Sequence, residues 1–293
     1  MRNKLIFTGF MFLAIMVIPN VAFAKEDIYY TNLNGATLTK EQYNNLLKVF
    51  DEDTIATMEK SGIDIYKNDT NLTKVENVKY IKTDYFYDAY GNVILSRENE
   101  VNEDEADLFV KNHNNGVQTA ASSHQTSMKK LVITGVAGTL DVKTFTITNT
   151  WLSMPQVRSF DVIAFGNGEN TTVLTFGNIS GYQKADGEII NYSSNGTNIK
   201  KNLNGGVGIS MNIVDTVSTS LINSLTVSFY TNTDPFLGYG TYQHATSDVS
   251  LSQSQNYTFS TNGYGRVLNF ASSVRGYYDN MQGVELELAF GDF

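Results

Sequence analysis

Short segments in which apolar and polar side chains alternate dominate the chain beyond residue 128, and they constrain its fold more than any other feature. Val207–Ile213, Leu225–Phe229 and Leu286–Phe290 each place apolar side chains at every second position. This period is typical of a strand with one face in the core. Asn-Gly, Asp-Gly and Gly-Tyr-Gly turns separate roughly nine such segments. We therefore expect an antiparallel β-sandwich, or a closed barrel, over residues 128–293.

The preceding part of the chain has a different composition. Residues 25–112 are richer in charge and poorer in glycine than residues 128–293. Thr39 and Gln42 have the spacing of a capping box at the head of an apolar helical face, and Asp88–Asn92 has the composition of a hairpin turn. Residues 113–127 are small and polar without periodicity. These features predict a mainly β protein with a small α+β module over residues 25–112 and a polar linker over residues 113–127.

The segment YYTNLNGATLTKEQYNNLLKVF carries a resemblance. With the residues that follow it, to about residue 66, it resembles the opening of a group of uncharacterised secreted proteins from Gram-positive anaerobic bacteria. The resemblance implies secretion and a recurrent small N-terminal module, and it implies no activity.

The first 24 residues have the pattern of a secretory signal peptide. Basic Arg2 and Lys4 precede an apolar run, and small residues lead up to a predicted cleavage between Ala24 and Lys25. The apolar run of about 14 residues is shorter than the roughly 20 that span a bilayer. We therefore expect a secreted, extracellular protein of bacterial type.

Charge and cysteine content exclude several classes of function. The formal net charge is −9, which disfavours nucleic acid as a partner. The chain has no cysteine, so disulfides, thiolate nucleophiles and cysteine-ligated zinc are all excluded. No metal-binding or cofactor-binding motif is present, and we expect no metal and no cofactor.

Aromatic residues beside glycine-rich turns are the candidate ligand contacts. Trp151 is the only tryptophan, and three tyrosines accompany it in this prediction: Tyr239, Tyr242 and Tyr264. Such rings can present a flat apolar face to a sugar or a peptide. The alternative is that they fill the ends of the core.

Catalytic arrangements have little support in the sequence. His244, Asp248 and Ser250 lie at alternate positions of one predicted strand, where they point the same way without converging as a triad. Asp161 with Asp186 or Glu188 would supply paired carboxylates for glycoside hydrolysis only if folding brings them together.

One long strand is predicted over Thr241–Phe259. Its C-terminal part, with Ser260 after it, is the stretch Ser247–Ser260, which alternates small polar side chains with larger ones, as is typical of a strand with one solvent-exposed face. Gln253 and Gln255 fall on the otherwise apolar side, and they indicate local exposure or a buried amide network.

Together these patterns predict a secreted non-catalytic binding protein whose partner is an extracellular protein or glycan. One alternative is a pore-forming toxin or bacteriocin-like protein that inserts a Gly205–Tyr230 hairpin into a membrane, because two strands of about ten residues have the length a tilted membrane strand needs. A second alternative is a glycan-processing enzyme with dispersed carboxylates.

Overall fold

A computed structural model gives the structure of the protein. It describes residues 27–114, 123–139, 141–213, 220–260, 267–279 and 283–289. The predicted signal peptide, its cleavage site at Ala24 and Lys25, and Tyr264 lie outside the described residues.

Strands make up most of the regular structure of the described chain, with three short helices before the first long strand, a longer helix between two strands and one helical turn near the C-terminal end. The helices are α1 Lys40–Leu46, α2 Glu52–Thr57, α3 Lys60–Tyr66, α4 Glu103–Asn114 and α5 Leu251–Ser254, with one turn of 3₁₀ helix at Arg275–Tyr277. The strands are β1 Tyr30–Thr31, β2 Thr37–Leu38, β3 Thr73–Tyr87, β4 Val93–Val101, β5 His124–Ala137, β6 Val142–Ser153, β7 Phe160–Asn167, β8 Thr175–Ala185, β9 Glu188–Ser193, β10 Ile199–Asn202, β11 Gly206–Asn212, β12 Leu221–Tyr230, β13 Phe236–Gln243, β14 Tyr257–Phe259, β15 Leu268–Phe270 and β16 Val284–Leu288.

Two antiparallel sheets make up the body of the protein. The large sheet has the order β4-β3-β5-β6-β12-β8-β9, and the small sheet has the order β10-β11-β7-β13-β16. Within the described residues, neither order returns to its first strand, so the sheets stay open. The predicted mainly β, antiparallel fold is confirmed, in the form of a sandwich.

The main hydrophobic core lies between the two sheets. Phe145 and Phe229 from the large sheet meet Phe165 and Phe236 from the small one, with ring centroids 4.7 to 6.5 Å apart. All four rings are fully buried. Aromatic rings at these separations contribute packing energy beyond the area they bury.

The three N-terminal helices cover the outer face of the large sheet. Leu46, Ile55 and Tyr66 pack with Val136 and Val142 of that sheet in a second hydrophobic cluster. The predicted capping box of α1 is confirmed, since the Thr39 and Gln42 side chains each bond the backbone of the other. The helices are therefore fixed to the sandwich by apolar contacts.

The sequence placed β3 and β4 in a separate N-terminal module, but both are strands of the large sheet. β3 pairs with β5 from Thr73 to Phe86, and β5 begins at His124, inside the predicted linker of residues 113–127. The charge of β3 and β4 has a physical reason: β4 is the edge of the sheet, where side chains reach water. The change in composition here coincides with a sheet edge.

The predicted Gly205–Tyr230 hairpin does not form. β11 lies in the small sheet and β12 in the large one, and each is paired on both of its edges. The alternating pattern indicates that one face of each strand lies on the shared core. It does not indicate which strand pairs with which. The length argument for a membrane-inserting hairpin consequently loses its structural basis.

The long strand predicted over Thr241–Phe259 is also wrong. The chain leaves β13 after Gln243, forms α5 and returns as the short β14. Ser250 and Gln253 form a capping box at α5, with the Gln253 Oε1 accepting from the Ser250 backbone N–H at 2.8 Å. The Gln255 Nε2 donates to the Thr197 carbonyl at 2.6 Å. Local side-chain bonds to the backbone thus override the alternation.

Candidate functional site

A cluster of buried polar and charged side chains lies between the two sheets, beside the hydrophobic core. Six of its residues lie on strands of the two sheets: Tyr85, Glu98, Lys129, Trp151, Asp161 and Tyr242. The other two are His244, directly after β13, and Asp279, in the segment before β16. Apart from Glu98, whose side chain is 14% exposed, these residues are at most 3% exposed. We call these eight residues the buried polar cluster.

Asp161 is the centre of one half of the cluster. It accepts a short hydrogen bond from the Tyr242 hydroxyl and another from the Ala245 backbone N–H at 2.9 Å. The His244 Nδ1 lies 3.0 Å from both carboxylate oxygens, and Trp151 donates to the Tyr242 hydroxyl at 3.1 Å. Several partners around one buried carboxylate compensate for its lost hydration.

Lys129, Asp279 and Glu98 form the other half. The Lys129 Nζ lies 2.6 Å from the Asp279 Oδ2 and 3.7 Å from the Glu98 Oε1. The other oxygen of Asp279 accepts from the His244 backbone N–H at 2.8 Å. The Lys129 ammonium also lies 5.2 Å from the Trp151 ring centroid, within range of a cation–π contact.

Burial and charge shift the titration of these groups. Burial and then the charge of Asp279 raise the pKa of Glu98 to about 8. Burial lowers the pKa of Lys129, but the Asp279 and Glu98 carboxylates outweigh it and hold the value above the ordinary one. Burial and the Asp161 charge keep the pKa of the Tyr242 hydroxyl well above its usual value. At neutral pH Glu98 is therefore protonated and Lys129 is charged.

The predicted ligand-contact residues lie mostly inside the protein. Trp151 and Tyr242 are brought together, but they are 3% and 0% exposed and belong to the buried polar cluster. Tyr239 is buried in a third hydrophobic cluster beneath α5 and β14. All three rings are therefore enclosed in the fold. Tyr264 falls outside the described residues.

The catalytic arrangements considered from the sequence do not assemble. His244 contacts Asp161, whereas Asp248 accepts from the Ser159 hydroxyl at 3.4 Å and Ser250 caps α5. Asp161 is enclosed between the sheets, whereas Asp186 in the turn after β8 and Glu188 at the start of β9 are both exposed. The structure thus separates the carboxylates that a glycosidase would need to pair.

The end of the β3–β4 hairpin exposes apolar side chains to solvent. Tyr90 in the turn is 91% exposed, and Ile94 and Leu95 on β4 are 67% and 44% exposed. In the part of the chain that the structure describes, no strand pairs with the outer edge of β4. We call Tyr90, Ile94, Leu95 and this open edge the hairpin tip.

Among the described residues, no group of three or more histidine and carboxylate side chains is arranged to hold a metal ion. No helix in the described ranges is long and apolar enough to cross a membrane.

Comparison with known proteins leaves the family open. No protein-family model matches the chain, and no curated protein matches it. Among solved structures, the collagen-binding domain of the Erysipelothrix rhusiopathiae surface protein RspB aligns with a TM-score of 0.28 and 9% identity, over 57% of this chain and 67% of that one. The KRT10-binding region domain of the pneumococcal serine-rich repeat protein PsrP aligns with a TM-score of 0.21 and 14% identity, over 58% of this chain and 88% of that one. At such scores the likeness supports no conclusion about this chain.

Proposed function

We propose that this protein is an extracellular, non-catalytic binding protein and that the hairpin tip contacts its partner. The open edge of β4, with Ile94 exposed beside it, is the observation that carries the proposal. An edge strand offers a row of backbone donors and acceptors, to which an extended polypeptide can add as a further strand. The partner is accordingly an extended segment of an extracellular protein.

The two halves of β4 differ in a way that supports this location. Val93–Ser96, next to the turn, carries no charge, whereas the exposed Arg97 and Glu100 follow in the second half. Charged side chains on an edge strand discourage pairing with another chain. The uncharged half is thus the part of this edge that is open to a partner.

The distribution of polar chemistry supports a non-catalytic role. His244 and Asp161, which an enzyme would need at an accessible surface, face each other in the interior. The described surface apolar groups at the hairpin tip can bury area against a partner, but they supply no acid, base or nucleophile. The signal-peptide pattern predicted for residues 1–24 supports a partner outside the cell.

Binding to immobilised extracellular proteins tests the proposal, with collagen and KRT10 among the first probes and a glycan array in parallel. The matched pair of variants is Ile94→Lys on β4 and Ile190→Lys on β9, the opposite edge of the same sheet, where Ile190 is 53% exposed. We expect Ile94→Lys to weaken protein binding at least about tenfold, because it charges the open edge. Ile190→Lys should leave binding unchanged. Equal effects of the two variants, or binding to glycans alone, would contradict the proposal.

A further inference from the structure

Lys129 and Asp279 meet in a setting that differs from an ordinary ion pair. Both side chains are 0% exposed, and their nearest atoms, Nζ and Oδ2, are 2.6 Å apart. The Asp279 carboxyl carbon is therefore one bond beyond the contact. Held in this way, an amine and a carboxyl group have a very high effective concentration toward each other.

Glu98 completes the arrangement. Its Oε1 is buried, has no hydrogen-bond partner at ordinary distance among the described residues and faces the Lys129 Nζ at 3.7 Å, while the carboxyl group as a whole interacts with Asp279. A buried carboxyl oxygen without a hydrogen-bond partner calls for an explanation. A role for Glu98 as a proton donor and acceptor beside the contact of Lys129 with Asp279 would explain it.

We propose that the Lys129 Nζ and the Asp279 carboxyl carbon become joined by an intramolecular amide bond when the chain folds, with Glu98 as the proton carrier. The bond is a covalent modification of the chain by itself and requires no cofactor. It is independent of the partner that the hairpin tip binds.

The reaction balances without an oxidant or an added co-reactant. A proton passes from the Lys129 ammonium to the Asp279 carboxylate, which gives a neutral amine and a neutral acid. The amine attacks the carboxyl carbon while protonated Glu98 donates a hydrogen bond to the oxygen that gains charge. Glu98 then passes its proton to the departing hydroxyl and takes one from the nitrogen. A C–N bond forms, a C–O bond breaks, and one water molecule leaves.

The surroundings of Lys129 and Asp279 favour formation of the amide. The ammonium and the carboxylate have lost their hydration, a cost that the resting ion pair carries even though mutual attraction keeps Lys129 charged. Trp151 and Tyr242 lie 5.2 and 5.9 Å from the Lys129 Nζ, measured to their ring centroids, and help to keep the site free of bulk water. The product amide is neutral, so its burial costs less than that of two ions.

A second buried lysine provides an internal control. The Lys143 Nζ lies 2.6 Å from the Asp234 Oδ1, the same separation as in the first pair. The Asp234 side chain is 41% exposed, so water can solvate its carboxylate. The two pairs have the same short separation. Only the pair of Lys129 and Asp279, among these two, is fully enclosed and lies beside a protonated carboxyl group.

Mass spectrometry of the full chain under denaturing conditions tests the bond. We expect the mass of the wild-type chain to be lower than its sequence mass by one water molecule, and Lys129→Arg and Glu98→Gln to restore the full mass. Lys143→Arg should keep the loss. Glu98→Gln preserves the ion pair and the side-chain volume, and a folded variant without the bond isolates the role of Glu98. A wild-type mass equal to the sequence mass would overturn the proposal. A loss of water that persists in Lys129→Arg would also overturn it, because that loss would come from another reaction, such as formation of a cyclic imide at Asp186-Gly187.

Discussion

The Lys129 Nζ lies 2.6 Å from the Asp279 Oδ2, although Lys129 belongs to the large sheet and Asp279 to the segment that enters the small sheet. The two residues are 150 positions apart in the chain. Buried charges far apart in sequence are held together only by the fold around them. An amide bond between them would close a long loop and fasten one sheet to the other in a chain that has no cysteine.

Stability should depend on that bond. By the chain-entropy relation, a cross-link that closes a loop of this length stabilises the folded state by about 5 kcal/mol. Glu98→Gln, which leaves the ion pair unbonded, should therefore lower Tm by roughly 10 °C or more. Differential scanning calorimetry of wild type and Glu98→Gln measures the difference, with Glu100→Gln on the same strand as the control. Equal Tm values for wild type and Glu98→Gln would show that no stabilising bond is lost.

Formation of the bond should depend on pH through Glu98. Burial and the Asp279 charge raise the pKa of Glu98 to about 8 from an ordinary 4.5, so its protonated, active form persists at neutral pH and is lost as pH rises through 8. The titratable groups facing it are Lys129 from β5, Asp279 and, from β3, Tyr85.

Refolding by dilution into buffers of different pH measures this dependence. Chain solubilised in urea from inclusion bodies has no assembled cluster at the start, and samples quenched at fixed times report the cross-linked fraction by mass. We expect the rate to fall above about pH 8, where Glu98 is ionised. Glu98→Gln should give no product at any pH. A rate that keeps rising to pH 10 would instead indicate that deprotonation of Lys129 alone controls the reaction.

Tyr242 should matter for stability and not for binding. Tyr242→Phe removes the hydroxyl that donates to Asp161 and accepts from Trp151, and it leaves both buried groups short of a partner. The expected cost is about 1 to 3 kcal/mol in the free energy of unfolding, measured by urea titration. Tyr230→Phe, at a residue 40% exposed, should change it by less than about 0.5 kcal/mol. Loss of partner binding at unchanged stability would instead assign Tyr242 to a ligand site.

Close approach of the two sheets should depend on Gly181. A Cβ at this position would lie 2.6 Å from the Ser224 carbonyl and 2.6 Å from the Ile209 Cδ1 across the core. Gly181→Ala should therefore destabilise the protein by about 1 to 3 kcal/mol through overpacking. Gly276→Ala is the matched control, because nothing lies within 4 Å of a Cβ there. Similar urea midpoints for the two variants would contradict the inter-sheet packing.

The sequence predicted the fold class well because alternation is a direct record of a half-buried strand. It predicted the pairing of strands poorly. β11 and β12 alternate as two strands of a hairpin would, yet they lie in different sheets, because period two is the same for any neighbour. At Ser250 and Gln253, capping bonds won over the alternating pattern, and one predicted strand became a helix between two shorter strands.

A signal for the buried polar cluster was present in the sequence and was missed. Lys129 is in phase with Leu131 and Ile133, and Asp161 is in phase with Ile163 and Phe165, so both charges face the core. A charged residue on the apolar side of a strand requires a buried partner. The spacing of residues along the chain does not identify that partner, since Asp279 comes from a distant segment. The exposure of the hairpin tip likewise depends on β4 lying at the sheet edge, which only the strand order reveals.

Tandem mass spectrometry of a tryptic digest tests the central claim most directly. Trypsin cleaves after free lysine, so an amide at Lys129 predicts no cleavage there and a branched peptide that contains both Lys129 and Asp279. Lys143 should appear with an unmodified side chain in the same digest. Recovery of separate, unmodified peptides ending at Lys129 and containing Asp279 would contradict the bond and leave the pair as a buried salt bridge.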